Sequence, residues 1–142
     1  MANGLPIGAT IAKKGIGFSP KDHGSTFGGN ALCCTASLKT INILEKLMPE
    51  VEEKGNYFMS KLKSIPQKNI KEIRGHGLMI ALELNHDIPH ITDKCGKLGL
   101  LINCIHGSIL RFLPPLIITK PQIDFAVSVL DTAINSGSGE ND

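Results

Sequence analysis

Large aliphatic residues occupy every second position from 78 to 84, and this pattern limits the possible folds. The four positions hold Leu78, Ile80, Leu82 and Leu84. Such spacing turns one face of a strand toward a core and leaves the other face to solvent. A half-buried strand needs neighbouring strands beside it and helices over its apolar face. The sequence therefore predicts a small sheet covered by helices.

The segments around this strand have helical and strand periodicities of their own. Pro49 separates two predicted helices, the first capped by Asn30, and Thr119 with Gln122 forms a T-x-x-Q capping box ahead of the last helix. The predicted elements are, in chain order, a strand over residues 5–12, helices over 31–48 and 50–65, strands over 70–74 and 78–84, a helix over 88–98, strands over 100–104 and 109–113, and a helix over 123–134. This order is typical of an α/β architecture.

The first 30 residues differ from the rest because they are rich in glycine and contain no amphipathic helix. Residues 5–12 are nearly all apolar, as in a strand that is buried on both faces. Such a strand needs flanking strands, and the sequence offers none close by. We therefore expect residues 1–30 to be unable to fold alone, residues 31–135 to form a domain, and residues 136–142 to be a disordered tail.

Composition excludes several classes of function. The 142 residues have a net charge of +2 and no long charged run, which argues against nucleic-acid or anionic-membrane partners. The apolar segment 5–12 is too short to span a bilayer. Four cysteines without paired spacing suggest reduced thiols of a cytoplasmic protein. A zinc site at Cys95, Cys104 and His106 is not predicted, because these residues lack the spacing of structural zinc ligands.

A segment rich in glycine and hydroxyl groups, H-G-S-T-F-G-G-N at positions 23–30, precedes the first predicted helix. Backbone N–H groups at a helix N-terminus and the hydroxyls of Ser25 and Thr26 suit a phosphate. A glycine-rich turn with an Asn30 cap explains the same residues equally well. The segment matches neither the Walker loop nor the dinucleotide fingerprint, so both interpretations stay open here.

Arg111 lies in an otherwise apolar strand, where a guanidinium needs an anion. That anion is either one of the chain's own carboxylates or the carboxylate of a substrate held by two hydrogen bonds. His76 lies between two glycines at a predicted turn and has no nucleophile or carboxylate close by in sequence, so we expect it to be solvated and not catalytic. Arg74 is expected to be structural.

Four motifs together resemble the subgroup III pyridoxal-phosphate-dependent aminotransferases, closest to the acetylornithine/ornithine group. They are N-G-L-P-I-G-A at 3–9, H-G-S-T-F-G-G-N at 23–30, I-R-G-H-G-L at 73–78 and L-R-F-L-P-P-L at 110–116. The resemblance covers residues 2–134. It implies a fold type I transferase, with residues 1–30 as the end of the large cofactor-binding domain, including its phosphate-binding loop, and residues 31–135 as the C-terminal small domain, an α/β sandwich.

The resemblance also implies roles for individual residues. Thr26 would bind the phosphate of pyridoxal 5'-phosphate across a dimer interface. Ser25 would lie beside cofactor and substrate, and Arg111 would bind the substrate α-carboxylate. The reaction expected of the complete enzyme transfers an amino group from acetylornithine or ornithine to 2-oxoglutarate, in a cytoplasmic homodimer of the arginine-biosynthesis type.

The Schiff-base lysine of the family precedes the first motif, and we expect it upstream of Met1. Lys13 and Lys14 follow the predicted first strand and do not match its position. No catalytic residue is therefore assigned within the chain, and the chain alone is expected to be inactive. The alternative is a non-catalytic assembly or binding module derived from the same fold.

Overall fold

The computed structural model describes residues 1–135, which form three α-helices, one short 3-10 helix and four strands. The chain divides into two compact units, Met1–Lys46 and the residues from Leu47 onward. This division falls inside the first helix. The disordered tail predicted for residues 136–142 lies outside the described residues.

The strand predicted over residues 5–12 is wrong. Apart from an isolated bridge between Ala2 and Leu5, residues 1–30 form turns and irregular backbone. Ile11 is 95% exposed. A strand buried on both faces requires partners on both edges, and within the described residues no strand pairs with this segment. Its apolar character therefore does not produce a strand here.

Helix α1 extends over Ala31–Lys63 and contains Pro49. It begins as predicted, because the backbone N–H of Cys33 donates to Oδ1 of Asn30 at 3.1 Å. The predicted break at Pro49 is wrong. Proline removes one backbone donor at a cost of about 3 kcal/mol, whereas the apolar positions after it, Phe58 and Leu62, keep helical spacing and are buried. Burial of this second half outweighs the missing hydrogen bond.

The sheet contains four antiparallel strands in the order β1-β2-β4-β3. The strands are β1 (Ile70–His76), β2 (Met79–Leu84), β3 (Asn103–Ile105) and β4 (Ile109–Phe112). Each confirms a predicted strand, although β3 is shorter than expected. The pairing of β1 with β2 shifts register between Ile70 and Glu72, which leaves Lys71 in a bulge.

Two further helices complete the second unit, α2 (Ile91–Lys97) and α3 (Lys120–Asn135). The capping box predicted for α3 is formed on its glutamine side, since the backbone N–H of Thr119 donates to Oε1 of Gln122 at 2.9 Å. Gly99 follows α2 at a positive φ of 88°, in agreement with the predicted stop.

The hydrophobic core lies in the second unit, between one face of the sheet and the helices. From β2 it takes the predicted alternating residues Ile80, Leu82 and Leu84, all at most 2% exposed. Phe58 of α1 meets Phe112 of β4 edge to face, with ring centroids 5.2 Å apart. The buried face of α3 is made by Ile123, Ala126, Val127, Val129, Leu130, Ala133 and Ile134.

Helix α1 and the turn between β1 and β2 approach each other without side chains between them. A Cβ atom added at Gly55 would stand 2.2 Å from the carbonyl oxygen of Gly77. Only glycine fits at position 55, even though glycine weakens a helix interior. This backbone contact fixes the position of the β1–β2 turn along the axis of α1.

Candidate functional site

Arg111 lies on the face of the sheet that points away from the core. It is exposed, and its cross-strand partners are Ala81 of β2 and Asn103 of β3. Within residues 1–135 no carboxylate lies within ion-pair distance of its guanidinium, so the structural pair considered from the sequence is not formed there. The five N–H donors of Arg111 remain available to a ligand.

Arg111 is one of the residues that line a cavity of about 780 Å³. Apolar side chains supply most of its wall, and the polar residues are few. Its lining includes Leu101, Asn103, Arg111, Ile117, Thr119 and Phe125. Asn103 stands directly opposite Arg111 on the neighbouring strand, so both side chains lie on the same face of the sheet. An apolar cavity with one guanidinium and a nearby amide suits an organic carboxylate.

A cluster of ion pairs surrounds Glu83, which by strand register lies on the same face of the sheet as Arg111. Nη1 of Arg74 donates to Oε2 of Glu83 and to Oε2 of Glu72, each at 2.7 Å, and Nζ of Lys71 donates to Oε1 of Glu83. The Lys71 hydrogen bond, followed by that of Arg74, lowers the pKa of the Glu83 carboxyl. Arg74 is thus structural, as expected from the sequence.

Ser25 and Thr26 lie in the first unit, in the turn that precedes α1. Both are exposed, and the turn is held by a hydrogen bond from the N–H of Gly28 to the carbonyl oxygen of Ser25 at 3.4 Å. Neither hydroxyl has a hydrogen-bond partner within the described part of the chain. The two hydroxyls, six and five residues before the start of α1 at Ala31, can therefore donate to an anion. These groups fit the phosphate of the implied cofactor.

The other candidate residues do not form a site. His76 ends β1 with an exposed side chain and has no hydrogen-bond partner among the described residues. No group of three or more metal-ligating side chains occurs within residues 1–135, and all four cysteines are free. Burial raises the pKa of the Cys95 and Cys104 thiols, which therefore stay protonated at neutral pH. None of the described helices is long and apolar enough to cross a membrane.

Comparison with known proteins gives a family match over almost the whole chain. The sequence model of Aminotransferase class-III matches residues 1–134. The chain belongs to this family. A similar relative is the acetylornithine aminotransferase of Aquifex aeolicus, 48% identical over 132 residues, which covers 92% of this chain and 34% of the relative. An ornithine aminotransferase of a Geobacillus species is 42% identical over 127 residues, covering 87% and 32% respectively.

Solved structures of class-III relatives agree with the fold. The ornithine aminotransferase of Toxoplasma gondii ME49 superposes with a TM-score of 0.77 at 32% identity, over 87% of this chain and 31% of that one. The acetylornithine aminotransferase of Elizabethkingia anophelis gives a TM-score of 0.70 at 35% identity, over 82% and 33%. The class-III chain described here spans about a third of the length of the curated relatives it matches.

Two residues near the candidate site escaped the sequence analysis. Asn103 was part of a predicted strand, but its position opposite Arg111 depends on a register that sequence alone does not give. Glu83 was visible only as a charge within an apolar strand. A lone carboxylate at the outward position of such a strand is a signal of a partner on the neighbouring strands, and here the partners are Lys71 and Arg74.

Proposed function

We propose that this chain is the part of an acetylornithine or ornithine aminotransferase that anchors the substrate carboxylate and the cofactor phosphate. The observation that carries the proposal is Arg111, which lines an apolar cavity of about 780 Å³ and has no carboxylate partner within residues 1–135. Family membership supplies the reaction class. The names of the relatives support acetylornithine or ornithine as amino donor. The acceptor, 2-oxoglutarate, is what the family resemblance implies.

Arg111 would bind the substrate α-carboxylate through two parallel N–H···O bonds, which fix orientation as well as position. The rigid strand β4 holds the arginine, because the neighbouring residues Leu110 and Phe112 are buried in the core. A fixed substrate orientation lowers the activation free energy, because the entropy of ordering the reactants is lost on binding and not in the chemical step.

The Thr26 hydroxyl would donate a hydrogen bond to the cofactor phosphate. Ser25 would lie beside the cofactor and the substrate. When bound, pyridoxal 5'-phosphate supplies the electron sink for amino transfer. The first-turn N–H groups of α1 add partial positive charge near the phosphate. These residues bind and position, and none of them moves a proton.

The proposal extends to the complete enzyme as a cytoplasmic homodimer. Its Schiff-base lysine would be provided by a segment upstream of the first motif, and residues 1–30 and 31–135 would belong to its large and small domains. Lys13 and Lys14 are exposed and do not take that role. The chain by itself is accordingly expected not to transaminate.

The test is a chimaera in which this chain replaces the corresponding third of the Aquifex aeolicus relative. We expect the chimaera to bind pyridoxal 5'-phosphate, seen as visible absorbance that borohydride abolishes, and to transaminate acetylornithine with 2-oxoglutarate. Changing Arg111→Ala should lower kcat/KM by roughly tenfold to a hundredfold, as for the loss of hydrogen bonds to a charged group. Arg111→Lys should recover only part of the loss.

The phosphate anchor is tested in the same chimaera by Thr26→Ala. We expect weaker cofactor affinity, by about tenfold for one hydrogen bond to a charged acceptor, while Thr26→Ser restores it by keeping the hydroxyl. A chimaera that folds but binds no cofactor would favour the non-catalytic module. A reducible adduct of the chain alone at Lys13 or Lys14 would contradict the assignment of the lysine to an upstream segment.

A further inference from the structure

Glu83 stands between two arginines on the exposed face of the sheet. Arg74 of β1 and Arg111 of β4 are both cross-strand partners of Ala81, one on each side of β2. Glu83 lies two residues further along β2 and so shares their face. Diagonal neighbours in a sheet are about 7–8 Å apart, which glutamate and arginine side chains can bridge. By strand register alone, Glu83 can pair with either arginine.

The carboxylate nevertheless pairs only toward β1 among the described residues. Nη1 of Arg74 occupies its Oε2 and Nζ of Lys71 occupies its Oε1. Lys71 is the residue at the bulge between Ile70 and Glu72, and the bulge adds a second cation on the β1 side of Glu83. Both oxygens of Glu83 are therefore engaged, and its side chain is only 17% exposed.

We infer that Lys71 and Arg74 hold the Glu83 carboxylate away from Arg111, and so keep the Arg111 guanidinium free for the carboxylate of an amino-acid or oxo-acid ligand. The inference rests on the proposed function and deepens it. Lys71 and Arg74 are positioning residues, because they act through Glu83 and not on the ligand. Without them, Arg111 is the remaining cation within diagonal reach of Glu83.

The expected change in Kd follows from competition between Glu83 and the ligand for Arg111. A ligand binds Arg111 only in the fraction of molecules in which the guanidinium is free, and its apparent Kd rises as that fraction falls. A surface ion pair of ordinary strength between Glu83 and Arg111 would leave the guanidinium free in a minority of molecules. The apparent Kd should then rise by about twofold to sixfold.

The experiment follows the side-chain Nε–Hε resonance of Arg111 in the ¹⁵N-labelled full chain during titration with glutarate. The wild-type chain should show a saturable shift of this resonance. The K71A/R74A variant should bind glutarate about twofold to sixfold more weakly, and adding Glu83→Gln to that variant should restore the wild-type Kd. The K68A/K97A variant removes the same charge from exposed positions elsewhere and should leave the Kd unchanged.

Three outcomes would overturn the inference: no response of Arg111 in the wild-type chain, an equal Kd in wild type and K71A/R74A, or a weaker Kd that Glu83→Gln does not restore. Backbone amide spectra of each variant show whether the sheet is intact. The titration needs neither cofactor nor upstream segment. An inactive chimaera with the expected glutarate pattern would therefore reject the proposed function and leave this inference standing.

Discussion

At the scale of single residues, Arg74 and Arg111 lie on the same face of the sheet but differ in their charged neighbours. Arg74 has two carboxylate partners at 2.7 Å, whereas Arg111 has none within the described residues. Only Arg111 interrupts an otherwise apolar strand, because β1 also contains Lys71 and Glu72 beside Arg74. The difference arises from Glu83 and from the bulge at Lys71, which bring the negative charge to the β1 side.

The pKa of Glu83 provides a direct check of this charge placement. Its two cations lower the pKa below the usual value of 4.5, Lys71 more than Arg74. A lowered folded-state pKa means that the ion pairs stabilise the fold above the unfolded-state pKa and that this contribution is lost as pH falls through the folded-state pKa. We expect Lys71→Ala to raise the Glu83 pKa, measured by ¹³C NMR of its carboxyl against pH. Lys68→Ala should not change it, and an unchanged midpoint in Lys71→Ala would contradict the ion pair between Lys71 and Glu83.

At the scale of elements, the contact between α1 and the β1–β2 turn depends on the absence of a side chain at position 55. Gly55→Ala would place a methyl group 2.2 Å from the Gly77 carbonyl oxygen, and backbone on both sides leaves little room to adjust. We expect a loss of about 1–3 kcal/mol in the free energy of unfolding, measured in urea.

Gly96 in α2 is the matched control for this substitution. A Cβ there would have nothing within 4 Å. Because alanine is favoured over glycine in helices, Gly96→Ala should be neutral or stabilising by up to about 1 kcal/mol. Equal destabilisation by the two substitutions would mean that the Gly55–Gly77 contact does not matter to stability.

Local signals predicted much of the fold from Asn30 onward. The alternation in β2, the Asn30 cap and the Thr119–Gln122 box each act over a few residues, and each is present in the structure. The errors arose where one sequence pattern is compatible with more than one structure. Pro49 ends some helices and is tolerated inside others, depending on what is buried beyond it, and the apolar segment 5–12 is a strand only if partners flank it.

The candidate site was predictable only residue by residue. Arg111 was found because a charge in an apolar strand requires an anion, and Ser25 with Thr26 because hydroxyls and glycines precede a helix. Their functional roles came from family resemblance and stay predictions. The register that sets Asn103 and Glu83 near Arg111 is a long-range property of the sheet, which no local pattern contains.

At the scale of the whole molecule, the two units differ in how much they bury. All members of the main hydrophobic cluster come from Phe58 onward, whereas Ile11, Phe18 and Phe27 of the first unit are at least 73% exposed. Large exposed apolar side chains favour self-association. The first unit thus gains little stability from burial of its own residues.

Amide hydrogen exchange should show this difference directly. We expect the amides of residues 5–28 to exchange near the rate of an unstructured peptide, because few of them are hydrogen-bonded, while those of β2 and β4 exchange only by global unfolding. Measurement at two protein concentrations serves as the control for self-association. Strong concentration-independent protection of residues 5–28 would contradict the exposed arrangement.

The order of the strands in the sheet affects how the chain can pair its strands during synthesis. Strand β4 is the last of the four to be synthesised, yet it lies between β2 and β3 and pairs with both. Until residues 109–112 leave the ribosome, β2 can pair with β1 alone and keeps an unpaired edge beside its apolar side chains. Such an edge is a template for wrong pairing. A nascent chain of this sequence therefore exposes this edge from the synthesis of Leu84 until that of Ile109, where β4 begins.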